Sequence, residues 1–504
     1  MSKEPHFGTR LEDFEPLWPA EKVLATWAWT GLIVVIGNDV PPDPAPRNRR
    51  IRASLIRYLA LGGCAACRPG PKGVRVWGAY IDGDGPERAE TRGLDLEGCA
   101  VKGDLLLGYC RIPEMMLLRR AKLRLLNLQG SHLGRAVPAE KAGTALSADG
   151  LDAAGGVFLR GAHATGEVRL LGAKLGGNLE CDGGTITAGE SGSALNATEC
   201  TVTGTFFWRS GKVNGEVRPA RAEGALVLSG AKVGHLIDDQ ASWPGKGDLR
   251  LDGFRYGAIT GGPVSAEARL RWLDLQEPTK VGEDFWPQPY EQLAKVLREM
   301  GHRKDARKVL IRKEELQWAD DKQRVGYRGW ALWWRSAWDW LLRWTIAYGY
   351  RPLQALWPLA AIWFVGVLLY WTAWENGAFK PNNAFVLRSD EWVLCATTQP
   401  DIAKLSAEEF QERSRRWQGK GYAHQVDCFE DQAEARSYPE FQSALYSLDV
   451  LVPLVHLELQ EYWLPDEATT LGAVARGFHW VQIIAGWALS LLAVAGFSGL
   501  VRND

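Results

Sequence analysis

The sequence predicts a multidomain protein: a cytoplasmic right-handed β-solenoid, a short helical hairpin, an interfacial Trp-rich helix, and two transmembrane helices with a re-entrant segment between them. Three observations carry this prediction. Two long stretches contain no charged residue, 352–374 and 477–501. A Gly-rich region over about 51–262 repeats itself at a 49-residue offset. Trp is concentrated beside the first apolar stretch, with 11 of the 24 indoles lying between Trp318 and Trp374.

The chain has 504 residues with 59 Lys+Arg against 60 Asp+Glu, a formal net charge of -1. That balance argues against a general nucleic-acid binder, which concentrates basic residues on at least one domain. The N-terminal segment carries Lys3, Glu4, Arg10, Glu12 and Asp13 and no apolar core, so no signal peptide is expected there. Residues 1–50 are assigned to an N-terminal cap.

The β-solenoid is assigned to residues 51–262. Ala145-Leu146-x-Ala148 recurs as Ala194-Leu195-x-Ala197, and Gly166-Glu167-Val168-Arg169 recurs as Gly215-Glu216-Val217-Arg218. Over 145–173 against 194–222, 11 of 29 positions are identical. A finer 11-residue beat places Val157-x-Leu159, Val168-x-Leu170 and Leu179-x-Cys181 in step. An 11-residue apolar period also suits a right-handed helical coiled coil. The Gly density excludes that, because each Gly costs a helix about 1 kcal/mol against Ala. Short alternating strands between Gly turns at a fixed period describe a stack in which each repeat buries its neighbour's face. Cys99, Cys110, Cys181 and Cys200 fall at inward positions of that pattern.

Residues 263–325 form a linker. Within it, apolar spacing over 286–317 predicts two amphipathic helices joined at Gly301, a single tetratricopeptide-like hairpin. Residues 326–350 predict an amphipathic helix lying in the plane of a membrane interface. Arg328, Arg335, Asp339 and Arg343 share one stripe, and Trp330, Trp333, Trp334 and Trp338 occupy much of the remainder.

The membrane domain is assigned to 351–504, with spans 352–374 and 477–501 and an external loop, 375–476. A hydrocarbon core of about 30 Å needs about 20 apolar residues, so both stretches suffice. Residues 302–351 hold 12 Lys/Arg, whereas the much longer loop holds 9. The positive-inside rule then sets both termini in the cytoplasm of a bacterial inner membrane. Cys395 and Cys428 are the two cysteines of the external loop and are expected to pair as a disulfide. Gly486, Gly496 and Gly499 in the second span would allow close helix packing or a bend.

Between the spans, 441–459 is apolar but too short to cross, which is the signature of a re-entrant or interfacial segment. Ala444-Leu445-Tyr446-Ser447 resembles the start of a potassium-channel pore helix. The Gly-Tyr-Gly that would line a carbonyl filter is replaced by Pro453-Leu454-Val455-His456. The expected pore mouth comprises Asp449, Pro453, His456 and Glu458, with the two acids forming rings that favour cations.

The chain as a whole resembles a family of bacterial membrane proteins with pentapeptide-like β-solenoid repeats. The resemblance is carried by Ser54-Leu55-Ile56-Arg57-Tyr58-Leu59-Ala60-Leu61-Gly62-Gly63, by Gly166 to Ala173, by Pro287-Gln288-Pro289-Tyr290-Glu291-Gln292-Leu293-Ala294 and by Ala485-Gly486-Trp487. Some members are labelled membrane-associated oxidoreductases. The sequence holds no nicotinamide, flavin or haem motif to match that label, and no P-loop, H-E-x-x-H or G-x-S-x-G. No catalytic residue, cofactor or metal is therefore expected, and Cys64-x-x-Cys67 lacks the second pair a zinc site needs. The expected function is a homo-oligomeric inner-membrane pore of four or five subunits with a cytoplasmic solenoid for regulation or assembly. Its expected partners are the lipid bilayer, further copies of itself and a cytoplasmic protein on the solenoid. The alternative is a membrane-anchored scaffold whose solenoid binds a protein partner without transport.

Overall fold

The computed structural model describes residues 10–65, 67–83, 93–135, 142–281, 284–325, 330–348, 350–453 and 456–498. The chain divides into two compact units, Met1–Arg324 and Val325–Asp504.

The first unit is dominated by parallel sheets of twelve, seven and six strands. The twelve-stranded sheet consists of two ladders that fuse at the long strand Thr201–Trp208. Its first half pairs with Lys174–Leu175 and its second half with Leu179–Glu180. The chain thus builds four parallel ladders, visiting them in turn through strands such as Asp152–Ala153, Val157–Phe158, His163–Ala164 and Glu167–Arg169. Both sequence periods have a structural origin here. Val157 pairs with Leu179, and Leu179 pairs with Phe206, so the two steps from Val157 to Phe206 together make the 49-residue repeat. The 11-residue beat is half of the return from Val157 to Leu179. Val157 and Val168 therefore belong to different ladders, while Val157 and Leu179 share one.

Each ladder stacks an apolar column. Val74, Leu105, Leu126, Val157, Leu179, Phe206, Leu236 and Ile259 follow one another in register, and all are buried. Fully burying such a side chain contributes about 1.5–3 kcal/mol. Outward positions carry ion pairs between successive layers, including Arg124–Asp104 at 2.7 Å, Arg169–Asp149 at 2.9 Å and Arg160–Glu180. Partly exposed pairs of this kind each contribute under about 1 kcal/mol.

Helices close both ends of the stack. At the N-terminal end, α1 (Pro19–Trp27) and α2 (Ala53–Ala60) flank the edge strands. Glu21 of α1 is fully buried and accepts hydrogen bonds from Arg52 N at 2.9 Å and Arg52 Nη2 at 2.7 Å. At the other end come α3 (Ala266–Leu273), α4 (Gln288–Glu299) and α5 (Arg303–Val325). Asp238 of the penultimate long strand accepts a two-pronged bond from the buried Arg269 of α3, at 2.6 and 2.8 Å. Gln288 and Gln292 of α4 reach the backbone of the last layer. Gln288 Oε1 accepts from Gly253 N at 2.9 Å, and Gln292 Nε2 donates to Tyr256 O at 2.7 Å. These side chains occupy backbone groups that an open sheet edge would present. Helices α4 and α5 are the hairpin expected from the sequence, and Gly301 between them has φ +90°.

Inward cysteine positions hold for Cys110, Cys181 and Cys200, which are buried. Cys99 departs from that expectation. It is half-exposed, with its thiol donating to Glu97 O at 3.4 Å.

In the second unit, α6 (Trp330–Ile346) precedes α7 (Leu356–Glu375). Strand Phe379–Pro381 pairs antiparallel with Trp463–Pro465. Between those strands lie α8 (Asp390–Val393), α9 (Ala407–Gln418), α10 (Gln425–Glu430), α11 (Ser443–Leu451) and α12 (Leu459–Tyr462). The last helix is α13 (Thr470–Ser498). Two stretches, Leu353–Glu375 and Thr470–Ala495, are long and apolar enough to cross a membrane. The second starts ahead of the expected 477. Arg476 is thereby inside the helix, its guanidinium lying over the Trp480 ring at 5.1 Å. A long cationic side chain covering an aromatic face in this way keeps its stem in apolar surroundings.

Candidate functional site: a polar cluster between two apolar helices

Helices α7 and α13 run antiparallel: the Gly366 backbone faces Gln482, and the Tyr370 and Phe478 rings lie 6.1 Å apart. The short helix α11 is packed against both. Glycine makes the approach feasible at two points. A Cβ on Gly366 would overlap Ser447 Oγ, and a Cβ on Gly486 would overlap the carbonyl oxygen of Leu451. Gly486 therefore serves close packing, against α11. Gly496 lies in the last turns of α13, and Gly499 lies outside the described residues.

A connected set of polar groups fills this junction. Gln482 Nε2 donates to Ser447 Oγ at 2.8 Å and to Ser447 O at 3.0 Å. Its Oε1 accepts from the Tyr370 hydroxyl at 2.8 Å. Ser447 Oγ donates to Trp363 O at 2.9 Å, and Trp363 Nε1 donates to Ala444 O at 3.0 Å. Tyr446 OH stands 3.4 Å from His479 Nδ1 and 3.3 Å from Trp463 O. Tyr370, Tyr446, Ser447, His479 and Gln482 are all buried. A buried polar group left without a partner costs about 1–3 kcal/mol, so internal pairing is the condition for burying them together. Around them the rings of Tyr370, Trp374, Phe379, Phe441, Tyr446 and Trp463 pack together, with Trp374 stacked on Phe441 at 4.4 Å.

The expected pore mouth is not assembled as the sequence suggested. Asp449 does not project toward solvent but is 2% exposed. Its two carboxylate oxygens accept from Leu457 N at 2.8 Å and Gln460 N at 3.0 Å, tying the turn after α11 to α12. The backbone amides occupy the carboxylate, which in the single chain is a buried structural acid. Pro453 begins that turn. Glu458 is exposed with a left-handed backbone, φ +64°, and precedes α12. His456 Nε2 lies 3.4 Å from Glu461 Oε1, both largely exposed. Asp449 is thus a buried structural acid, Pro453 is half-buried, and His456 and Glu458 are exposed.

Trp330, Trp333, Trp334 and Trp338 all lie on α6 and are exposed, from 45% to 83%. Arg335 and Arg343 share that helix, Arg343 exposed, whereas Arg328 lies outside the described residues. Cys395 and Cys428 are joined, with Cα atoms 5.7 Å apart. Gln432 Nε2 packs on this bridge, 2.9 Å from the Cys395 sulfur. Sequence reasoning missed Tyr370 and Gln482 altogether. The available signal was that they are among the few polar side chains within two otherwise apolar stretches, which marks a site by cost alone.

Among the described residues, no group of three or more His, Cys, Asp or Glu could hold a metal ion. In the first unit, an open cleft of about 450 Å³ is lined by Asp274, Phe285, Trp286, Tyr290 and Arg312, among others. Comparisons with protein families, with curated proteins and with solved structures return no match to this chain.

Proposed function

We propose that the protein is a membrane-anchored scaffold: its parallel sheets form a cytoplasmic right-handed β-solenoid of the pentapeptide-like kind, and α7 and α13 are a two-span anchor in a bacterial inner membrane. One observation carries this reading. Over 356–371 and 477–494, every exposed side chain among the described residues is apolar, including Trp357, Phe364, Leu368, Trp371, Val481, Ile484, Trp487 and Leu491. The polar residues turn inward and bond to one another. That is the pattern of helices bathed in lipid, since lipid offers no partner to an outward polar group. The exposed indoles of α6 suit the headgroup zone at the edge of such an anchor.

The Cys395–Cys428 bridge supports an external position for the loop, because disulfides persist outside the reducing cytosol. With the loop outside, the antiparallel pair brings both termini to the cytoplasm. Maleimide labelling of intact cells tests this: a cysteine introduced at the exposed Gln399 should react, and one at Ala188 should not. The reverse pattern would reject the topology.

The wedge of α11 between two antiparallel helices favours a second reading, an oligomeric pore of pore-loop layout. The two readings separate in proteoliposomes. The scaffold predicts no ion flux above that of protein-free vesicles and retention in the membrane after alkaline carbonate washing. A cation flux, together with a symmetric four- or five-subunit particle in detergent, would replace the scaffold with the pore.

A further inference from the structure

The turn that follows α2 holds two thiols in an arrangement that the anchor does not use. Helix α2 ends where Leu61 N bonds Arg57 O, and Gly62 and Gly63 reverse the chain with φ of +123° and +57°. A side chain at Gly63 would meet Cys67 O at 2.9 Å, so the reversal is tight. Cys67 N then donates to Cys64 O at 3.1 Å, and Cys64 N donates to Cys67 Sγ at 3.3 Å. The result is a separation of 2.7 Å between the two sulfur atoms.

That distance discriminates between chemistries. A disulfide bond is about 2.05 Å, so closure needs a movement of well under about 1 Å. Two thiolates on one tetrahedral zinc, at about 2.3 Å each, would stand roughly 3.8 Å apart. Among the described residues no third ligand accompanies the pair. The accessibility of the sulfurs is unequal: Cys64 is half-exposed and Cys67 is buried. The phenol oxygen of Tyr58, itself buried, stands beside both thiols and helps seal the inner one from water.

We propose that Cys64 and Cys67 are a redox-active dithiol that closes to an intrachain disulfide by exchange with a low-molecular-weight disulfide. The Cys64 thiolate attacks one sulfur of the small disulfide, forming a mixed disulfide and releasing one thiolate. The Cys67 thiolate then attacks the Cys64 sulfur, forming the Cys64–Cys67 bond and releasing the second. The two protons from the cysteines end on the two departing thiols. The protein pair is oxidised by two electrons and the small disulfide is reduced by two. Burial pushes the Cys67 thiol up from its ordinary range. A thiol of high pKa is a poor leaving group, so the closed form resists reduction.

The test uses the full chain in detergent, equilibrated in buffers stepped from reduced to oxidised glutathione, acid-quenched, alkylated with N-ethylmaleimide and digested with trypsin. The peptide spanning 58–72 contains both cysteines and no other. The expected result is a single two-electron transition from doubly alkylated peptide to one lighter by two hydrogens than the free dithiol, with Cys67→Ser arrested as a glutathione adduct on Cys64. Double alkylation in the most oxidising buffer would overturn the proposal, as would a glutathione adduct that persists on the wild-type Cys64 without closing. The wild-type titration decides the matter alone if Cys67→Ser does not fold.

Discussion

The two units of this chain solve the same problem, burying a core with its polar groups satisfied, by opposite means. In the parallel-sheet unit the solution repeats. Leu126, Val157 and Leu179 are interchangeable members of one column, and the Arg–carboxylate pairs between layers are variations on one contact. In the helical unit each contact occurs once. Gln482 of α13 bonds Ser447 of α11 and Tyr370 of α7, and no second copy of that arrangement exists among the described residues. The repeating solution spreads its stability over neighbour terms, whereas the single solution concentrates it in a few side chains.

This contrast can be broken most severely in the first unit. Val157→Asp places a carboxylate in the middle of the longest apolar column, where no partner awaits it, and an unpaired buried charge is among the few changes that cost more than about 4 kcal/mol. Limited proteolysis should show loss of the protected N-terminal fragment while the Cys395–Cys428 bridge still forms. Persistent protection of that fragment would mean that the column is not what holds the layers together.

The end of the stack offers the next largest effect. Arg269→Ala leaves the buried Asp238 carboxylate without its guanidinium, retaining only the Trp243 Nε1 bond at 2.8 Å. Removing one partner of a buried pair costs about 3–5 kcal/mol. Chemical denaturation should register that loss, and adding Asp238→Asn should recover part of it. No recovery would indicate that Arg269 acts through packing alone.

In the helical unit Gln482→Ala strips three hydrogen bonds from Ser447 and Tyr370, yet the expected cost is small. If α7 and α13 span a bilayer as proposed above, interhelical hydrogen bonds there average about 0.6 kcal/mol, because the separated helices also find partners. A loss of about 1–2 kcal/mol in a detergent-based unfolding assay fits a shared cluster. A change of several kcal/mol would mark Gln482 as irreplaceable and sharpen the difference between the units.

The smallest effect is one of pH. Burial, with the nearby Arg111 and the neighbouring His163, depresses His132 to about 4. The unfolded chain would hold this imidazole near about 6.5 and so binds more protons between those values. Stability should be level above about pH 6.5 and decline as the pH falls toward about 4. The decline should lessen in His132→Asn. Because the ring is partly exposed, a shift of a few degrees in the thermal midpoint is expected, and an unchanged slope in the variant would assign the acid sensitivity elsewhere.

The same contrast explains what could be read from the sequence. The 49-residue repeat is the sum of two pairing steps and the 11-residue beat is half of one, because a parallel ladder forces equivalent side chains to recur at equivalent positions. The two long apolar helices and the hairpin turn at Gly301 were legible for a similar reason, since each is set by local composition. The burial of Asp449 was not legible, because a carboxylate beside an apolar run looks solvated until the chain folds back. The amides of Leu457 and Gln460 that capture it are fixed by tertiary structure alone. Tyr370 and Gln482 were missed for want of any local pattern linking residues so far apart.

One small feature reaches further than its size. The paired strands Phe379–Pro381 and Trp463–Pro465, with Lys380 bonded to Asp466 at 2.9 Å, form a neck through which the chain leaves and re-enters the helical pair. The entropy of closing the intervening loop grows only slowly with its length, so residues added at an exposed site between 382 and 462 should cost little once its ends are fixed. The segment beyond the neck is nevertheless packed into the same core, since Trp392, Val426, Phe429 and Ala435 are buried in one cluster with Tyr370 and Phe379. A tag or a small folded module could be inserted at the exposed Gln399, whereas removing the whole segment would strip α7 and α13 of the side chains that fill the space beside them.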